Sequence, residues 1–134
     1  MIEVGSREMV MATVLIIDDD EAVRLALQSA LEAMGHAADV SGNGIEGIAV
    51  CNVKDFDLVI TDLIMPGKDG VETILELKIG RPDLKIIAIS GADNNLDIMD
   101  TAYRVGADCA LTKPFSMSDL ADCVNRVLHG SYAV

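Results

Sequence analysis

Five short apolar runs, each separated from the next by a helical pattern, constrain this chain more than any other feature. They are Val14-Leu15-Ile16-Ile17, Ala37 to Val40, Leu58-Val59-Ile60, Ile86-Ile87-Ala88-Ile89 and Cys109-Ala110-Leu111. Unbroken aliphatic runs of this length read as strands buried on both faces. Ala37 to Val40 is the weakest of them. After the first run, Val23, Leu27, Ala30, Leu31 and Met34 recur at helical spacing, with Gly35 as the stop. Gly42 to Asn52 is predicted as a helix with Ile45, Ile48 and Ala49 inward, despite its glycines. Val71, Ile74, Leu75 and Leu77 mark a third helix, and Arg81-Pro82-Asp83 a loop. A fourth helix starts near Asp93 and carries Leu96, Met99 and Tyr103 towards Gly106. In the fifth, Leu120, Val124, Val127 and Leu128 face inward, Ser116 and Asp119 form the N-terminal cap, and Gly130 ends it. Strict alternation of strand and helix calls for an α/β fold, a parallel sheet with helices on both faces.

A chain of 134 residues, 51% of them apolar, makes one globular domain with a sizeable core. Aromatic residues are only 3%, so that core is aliphatic. The formal net charge of −12 repels phosphate backbones and argues against direct nucleic-acid binding. No apolar run approaches a membrane span. Residues 1–11 lack a signal-peptide core and read as a loose extension, 12–130 as the folded domain and 131–134 as a short tail. Cys51, Cys109 and Cys123 show no metal-ligand spacing and are expected to be reduced thiols, which fits a cytoplasmic location.

Polar residues follow the buried runs directly. Asp18-Asp19-Asp20 follows the first, Asp62 the third, Ser90 the fourth and Lys113 the fifth. In a doubly wound sheet all these strand ends lie on one edge, where such sheets bind ligands. Each residue also has a plainer explanation: the aspartates as helix caps, Asp62 as a solvated strand end, Ser90 as a turn residue, Lys113 as a surface lysine. All four plain explanations holding at one edge is much the less economical account. Carboxylates crowded about 4 Å apart cost roughly 1 kcal/mol per pair in water and about 4 at an effective dielectric of 20. A hard divalent cation relieves that repulsion, and Mg²⁺ combines one or two carboxylates with phosphate oxygens. A lysine and a hydroxyl beside it suit a phosphoryl group.

In this order and spacing the motifs resemble the receiver domains of two-component response regulators, a flavodoxin-like family. The resemblance rests on Asp18-Asp19 with Arg24 downstream, Asp62-Leu63-x-Met65-Pro66-Gly67-x-Asp69-Gly70, Ser90, Gly106-Ala107-Asp108 and Lys113-Pro114-Phe115. It covers about Ala12 to Leu128. It implies a five-stranded doubly wound parallel sheet of order 2-1-3-4-5 with five helices. It also implies that Asp62 accepts the phosphoryl group. Asp19, Asp62 and the backbone carbonyl of Ile64 would hold Mg²⁺, or Mn²⁺ in its place, with Asp18 acting through metal-bound water. Lys113 would pair with the phosphoryl oxygens and Ser90 would donate a hydrogen bond to one. The Lys113-Pro114 peptide is expected to be cis.

The implied function is a phosphorelay receiver. It takes its phosphoryl group from a histidine kinase or histidine phosphotransfer protein and signals to a downstream protein by contact. Such a chain is a phosphoacceptor that assists its own phosphorylation and dephosphorylation, not an enzyme with a separate substrate. Ala110 departs from the family, which usually has Tyr or Phe there as a switch. The expected output surface is a depression lined by Met99, Tyr103, Ala110 and the start of the last helix. Ile64 and Ala92, two residues beyond Asp62 and Ser90, offer no hydrogen bond to a hydrolytic water. Two other readings stay open. Asp18-x-Asp20 resembles haloacid-dehalogenase-type phosphatases, although Ala22 stands where they usually carry Thr and the chain leaves little room for a cap. The chain could also be a receiver excised from a larger regulator with an output domain.

Overall fold

The computed structural model describes residues 11–65, 67–91 and 96–130. The expected helix start near Asp93, Ala92, the side chain of Leu96 and both terminal segments lie outside that part. The strands are β1 (Thr13–Ile17), β2 (Ala37–Ser41), β3 (Leu58–Asp62), β4 (Lys85–Gly91) and β5 (Cys109–Lys113). Between and after them run α1 (Glu21–Ala33), α2 (Gly44–Val53), α3 (Gly70–Gly80), α4 (Leu96–Val105) and α5 (Met117–His129). All four strand pairings are parallel, in the order 2-1-3-4-5.

Side chains alternate across the sheet. Val14 and Ile16 of β1, Leu58 and Ile60 of β3 and Ile87 and Ile89 of β4 point to the face covered by α1 and α5. Leu15, Ile17, Val59, Ile86 and Ala88 point to the other face, packed by α2, α3 and α4. Both faces are covered, which is why these strands carry no polar alternation. Asp20 caps α1, and the anticipated Ser116–Asp119 capping box on α5 is present and reciprocal; the structure adds Asp69 as the cap of α3.

The inward face of α2 differs from expectation. Ile48 packs against the core, but Ile45 is 67% exposed and Ala49 also faces outward. Gly44, Gly47 and Cys51 take the buried positions instead. A Cβ on Gly47 would collide with the Ile17 side chain, so only glycine lets α2 lie this close to β1. Among the described side chains of α4, Ala102 is fully buried, Met99 is partly buried and Tyr103 is surface-exposed. The thiol expectation also needs correction. Cys109 and Cys123 form a disulfide joining β5 to α5, while Cys51 is free and buried. Both bonded cysteines face the same core layer, a proximity that their sequence spacing does not reveal.

Candidate functional site

β1 is flanked by β2 on one side and β3 on the other, so the chain reverses its direction of winding between β1 and β3. The carboxyl ends of these two strands open a crevice at that switch point. Asp18 leaves the end of β1 and Asp62 ends β3, and both are buried. A backbone N–H and an arginine side chain hold Asp18 in place. Its Oδ1 accepts a hydrogen bond from the Asp20 N–H at 2.9 Å, and its carbonyl accepts one from the Arg24 guanidinium at 2.7 Å. Asp20 itself turns away to cap α1, accepting from the N–H groups of Ala22 and Val23. Asp19 is exposed, yet its carboxylate joins the cluster. One oxygen each from Asp18, Asp19 and Asp62 lies within 4.8 Å of the others.

Lys113 answers this charge from the end of β5. Its Nζ sits 3.2 Å from Asp18 Oδ2 and 3.5 Å from Asp62 Oδ2. Burial and the neighbouring Asp18 push the Asp62 carboxyl above the usual carboxylate range, against the pull of Lys113 and of the Ile64 N–H. That N–H donates to Asp62 Oδ1 at 3.3 Å. Burial alone lowers the Lys113 ammonium, but Asp62 and Asp18 outweigh it and leave it above its usual value. Strand register places Ser90 one residue beyond Ile89, the partner of Asp62, and opposite Thr112. Ser90 is buried, with its hydroxyl donating to the Gly91 carbonyl at a long 3.3 Å. The Lys113-Pro114 peptide is cis, as anticipated.

Three carboxylates against one ammonium leave the pocket with surplus negative charge. Its donors are hard oxygens, which fit Mg²⁺ or Mn²⁺ and not a soft metal. Asp57 and Asp69, the other acids near Asp62 in sequence, lie elsewhere. Asp57 accepts the Thr13 N–H at 2.8 Å, at the opposite end of the sheet, and Asp69 caps α3. Gly70 belongs to the motif that carries the resemblance, but sequence reasoning assigned it no role in shaping the site. A Cβ on Gly70 would collide with the Asp62 carbonyl oxygen, and would stand 2.6 Å from Leu63 Cα. The first turn of α3 therefore rests on the backbone that carries Asp62, with the Gly70 N–H donating to the Leu63 carbonyl at 2.9 Å. A glycine directly after the capping Asp69, where most residues would serve, was the available signal.

The surroundings of Ala110 divide. Ala110 packs with Met99 in the core layer on the α4 side, and Tyr103 lies on the surface of the same helix. The start of α5 is on the other side of the sheet. There Met117 and Leu120, with Phe115, Val23, Leu27 and Lys113, line an apolar groove of about 300 Å³ between α1 and α5.

Comparison with known proteins agrees with this geometry. The response regulator receiver domain family matches residues 14–125. The chain is 35% identical over 115 residues to the chemotaxis protein CheY of Halobacterium salinarum, spanning 86% of this chain and 95% of that protein. It is 37% identical over 120 residues to the DNA-binding transcriptional regulator NtrC of Azospirillum brasilense, spanning 90% of this chain but only 25% of that protein. Its fold matches the structure of Vibrio cholerae chemotaxis protein CheY4 with a TM-score of 0.82 at 26% identity, covering 89% of this chain and all of that one.

Proposed function

This chain belongs to the response regulator receiver domain family, and from that premise we propose that it is a phosphorelay receiver in which Asp62 accepts a phosphoryl group. The observation that carries the reading is the convergence of Asp18, Asp19, Asp62 and Lys113 at the switch point, with Ser90 at the next strand end. The receiver unit is residues 12–130, with 1–11 and 131–134 as terminal extensions.

In the proposed transfer, an Asp62 carboxylate oxygen forms the bond to phosphorus of a donor phosphohistidine. The P–N bond breaks as it forms, and its electron pair stays on the imidazole nitrogen. Mg²⁺, held by Asp19, Asp62 and the Ile64 carbonyl with Asp18 acting through water, would supply charge neutralisation for the phosphoryl oxygens. Lys113 then exchanges its contact with Asp62 for one with a phosphoryl oxygen, and keeps Asp18. Ser90 gives up its long bond to Gly91 and donates to another oxygen. The α1–α5 groove abuts Lys113 and is apolar, which suits docking of the phosphohistidine-bearing domain of a histidine kinase or phosphotransfer protein. Output runs from Ser90 into α4, towards Met99, Tyr103 and the space beside Ala110, to be read by a downstream protein. Ala110 has no side-chain rotamer to turn inward, so loop and helix displacement carries the signal.

The reading is tested by mixing the protein and Mg²⁺ with a panel of phosphorylated histidine kinases. Rapid transfer from at least one, lost in Asp62→Asn, is expected. No transfer from any, with steady hydrolysis of a phosphate ester that Asp18→Asn abolishes, would instead favour a phosphatase.

A further inference from the structure

A helix that is apolar all round is ordinarily covered on every side. α2 carries one charged residue, Glu46, in its ten positions, yet only its inner face is covered. Ile45, Ala49 and Val53 recur every four residues along its outer face, with Ile45 67% and Val53 85% exposed. The neighbouring helix α3 does the same with Leu75 and Ile79, the latter 74% exposed. Ile45, Val53, Leu75 and Ile79 are four of the ten large apolar side chains exposed among the described residues. Leu75 and Ile79 edge a shallow cavity of about 260 Å³ with Lys68, Glu72 and Glu76. Scattered exposed apolar residues need no explanation, but a concentration of them rimmed by charge marks an interaction surface.

From these features we infer that the outer faces of α2 and α3 form a second docking surface, built for an amphipathic helix with basic flanks on a partner protein. Charge selects the occupant. The cavity beside Leu75 and Ile79 sets two acids, Glu72 and Glu76, against one cation, Lys68, which pairs with Glu76 at 2.7 Å, so its rim keeps an excess of negative charge. A second copy of this chain would bring the same acids, on a body of net charge −12, against them. Shape selects a helix. Apolar residues four apart on both α2 and α3 form ridges that the ridges of a third helix can straddle. This surface lies apart from the α1–α5 groove and from the Asp62 pocket, so the inference stands independently of the phosphoacceptor reading.

The test uses a synthetic Leu/Lys amphipathic helical peptide of about 18 residues, five turns. Its controls are a scrambled peptide of the same composition and a Leu/Glu version. Amide shifts on titration are expected in residues 45–53 and 72–79. Val53→Ser and Ile79→Ser should each weaken binding about tenfold, as loss of a central apolar anchor does. Both variants should still label with acetyl phosphate like the parent, which shows that they fold. Equal binding of the scrambled or Leu/Glu peptide would overturn the inference, as would shifts confined to α1 and α5. So would concentration-dependent dimerisation that Val53→Ser and Ile79→Ser abolish, since the occupant would then be a second copy.

Discussion

Replacing Lys113 by Met removes the one cation facing Asp18 and Asp62 while keeping an aliphatic stem. Asp18 is 1% exposed in its side chain and Asp62 9%, so neither can turn to water for relief. At 3.2 and 3.5 Å each contact amounts to ~5 kcal/mol of attraction at an effective dielectric of 20. Most of that is offset by the cost of drawing the lysine from water. The Lys113 side chain is also 28% exposed, which adds screening. Stripping a buried charge of its partner costs about 3–5 kcal/mol when burial is complete, so about 2–3 kcal/mol is expected here. The loss has a pH signature. Without Lys113 the Asp62 carboxyl rises further above its unfolded value. A carboxyl raised on folding destabilises once ionised, so the deficit should be full at neutral pH and shrink as pH falls through the raised folded value. Mg²⁺ substitutes for the missing charge, and at 100-fold over its Kd it should restore about 2.7 kcal/mol. Urea unfolding of parent and Lys113→Met, with and without Mg²⁺ across this pH range, reads all three effects. A cost below about 0.5 kcal/mol, the level of an exposed pair, would refute the reasoning, as would a deficit that grows on acidification.

Gly70→Ala should destabilise by about 2 kcal/mol through overpacking against Asp62 and Leu63. It should also slow labelling by acetyl phosphate, and an unchanged urea midpoint and labelling rate would contradict the close approach. His36 is buried, with Nδ1 accepting the Ala12 N–H at 3.1 Å. Burial, then His129, hold its pKa below the ordinary value against the opposing pull of Asp57. The unfolded chain therefore binds the proton more readily, and this stability is full above about pH 6.5 and lost as pH falls through the lowered folded value. Unfolding curves should show the parent losing more than His36→Gln between neutral pH and 5. Equal losses would dismiss the histidine. Ile64 is half exposed beside the acceptor and cannot orient a water, so Ile64→Asn should speed decay of the aspartyl phosphate about tenfold. An unchanged decay rate in a chase experiment would exclude that role.

The parts of the fold legible in sequence share one physical cause. β1, β3 and β4 are covered on both faces, so their aliphatic runs stand out, and each polar residue that follows one is delivered to the same edge. That is why Asp18, Asp62 and Ser90 could be placed together from sequence, with Lys113 joining them at the end of the partly exposed β5. The face of α2 was not legible, because a helix apolar on every side gives periodicity nothing to select. The choice came from the approach of Gly47 to Ile17, a tertiary contact. The surroundings of Ala110 were partly legible. Alternation along β5 puts Ala110 on the face opposite Cys109 and Leu111, the side that α5 does not cover. The Cys109–Cys123 bond depends on strand and helix docking in register and leaves no local trace.

The central claim is that Asp62, and no neighbouring acid, receives the phosphoryl group. Labelling with acetyl phosphate and Mg²⁺, read by intact mass and by hydroxylamine sensitivity, tests it most directly. Asp57 holds the start of β1 and Asp69 caps α3, so Asp57→Asn and Asp69→Asn should label like the parent, while Asp62→Asn should not label at all. Full labelling of Asp62→Asn, or its loss in Asp57→Asn with the fold intact, would contradict the assignment.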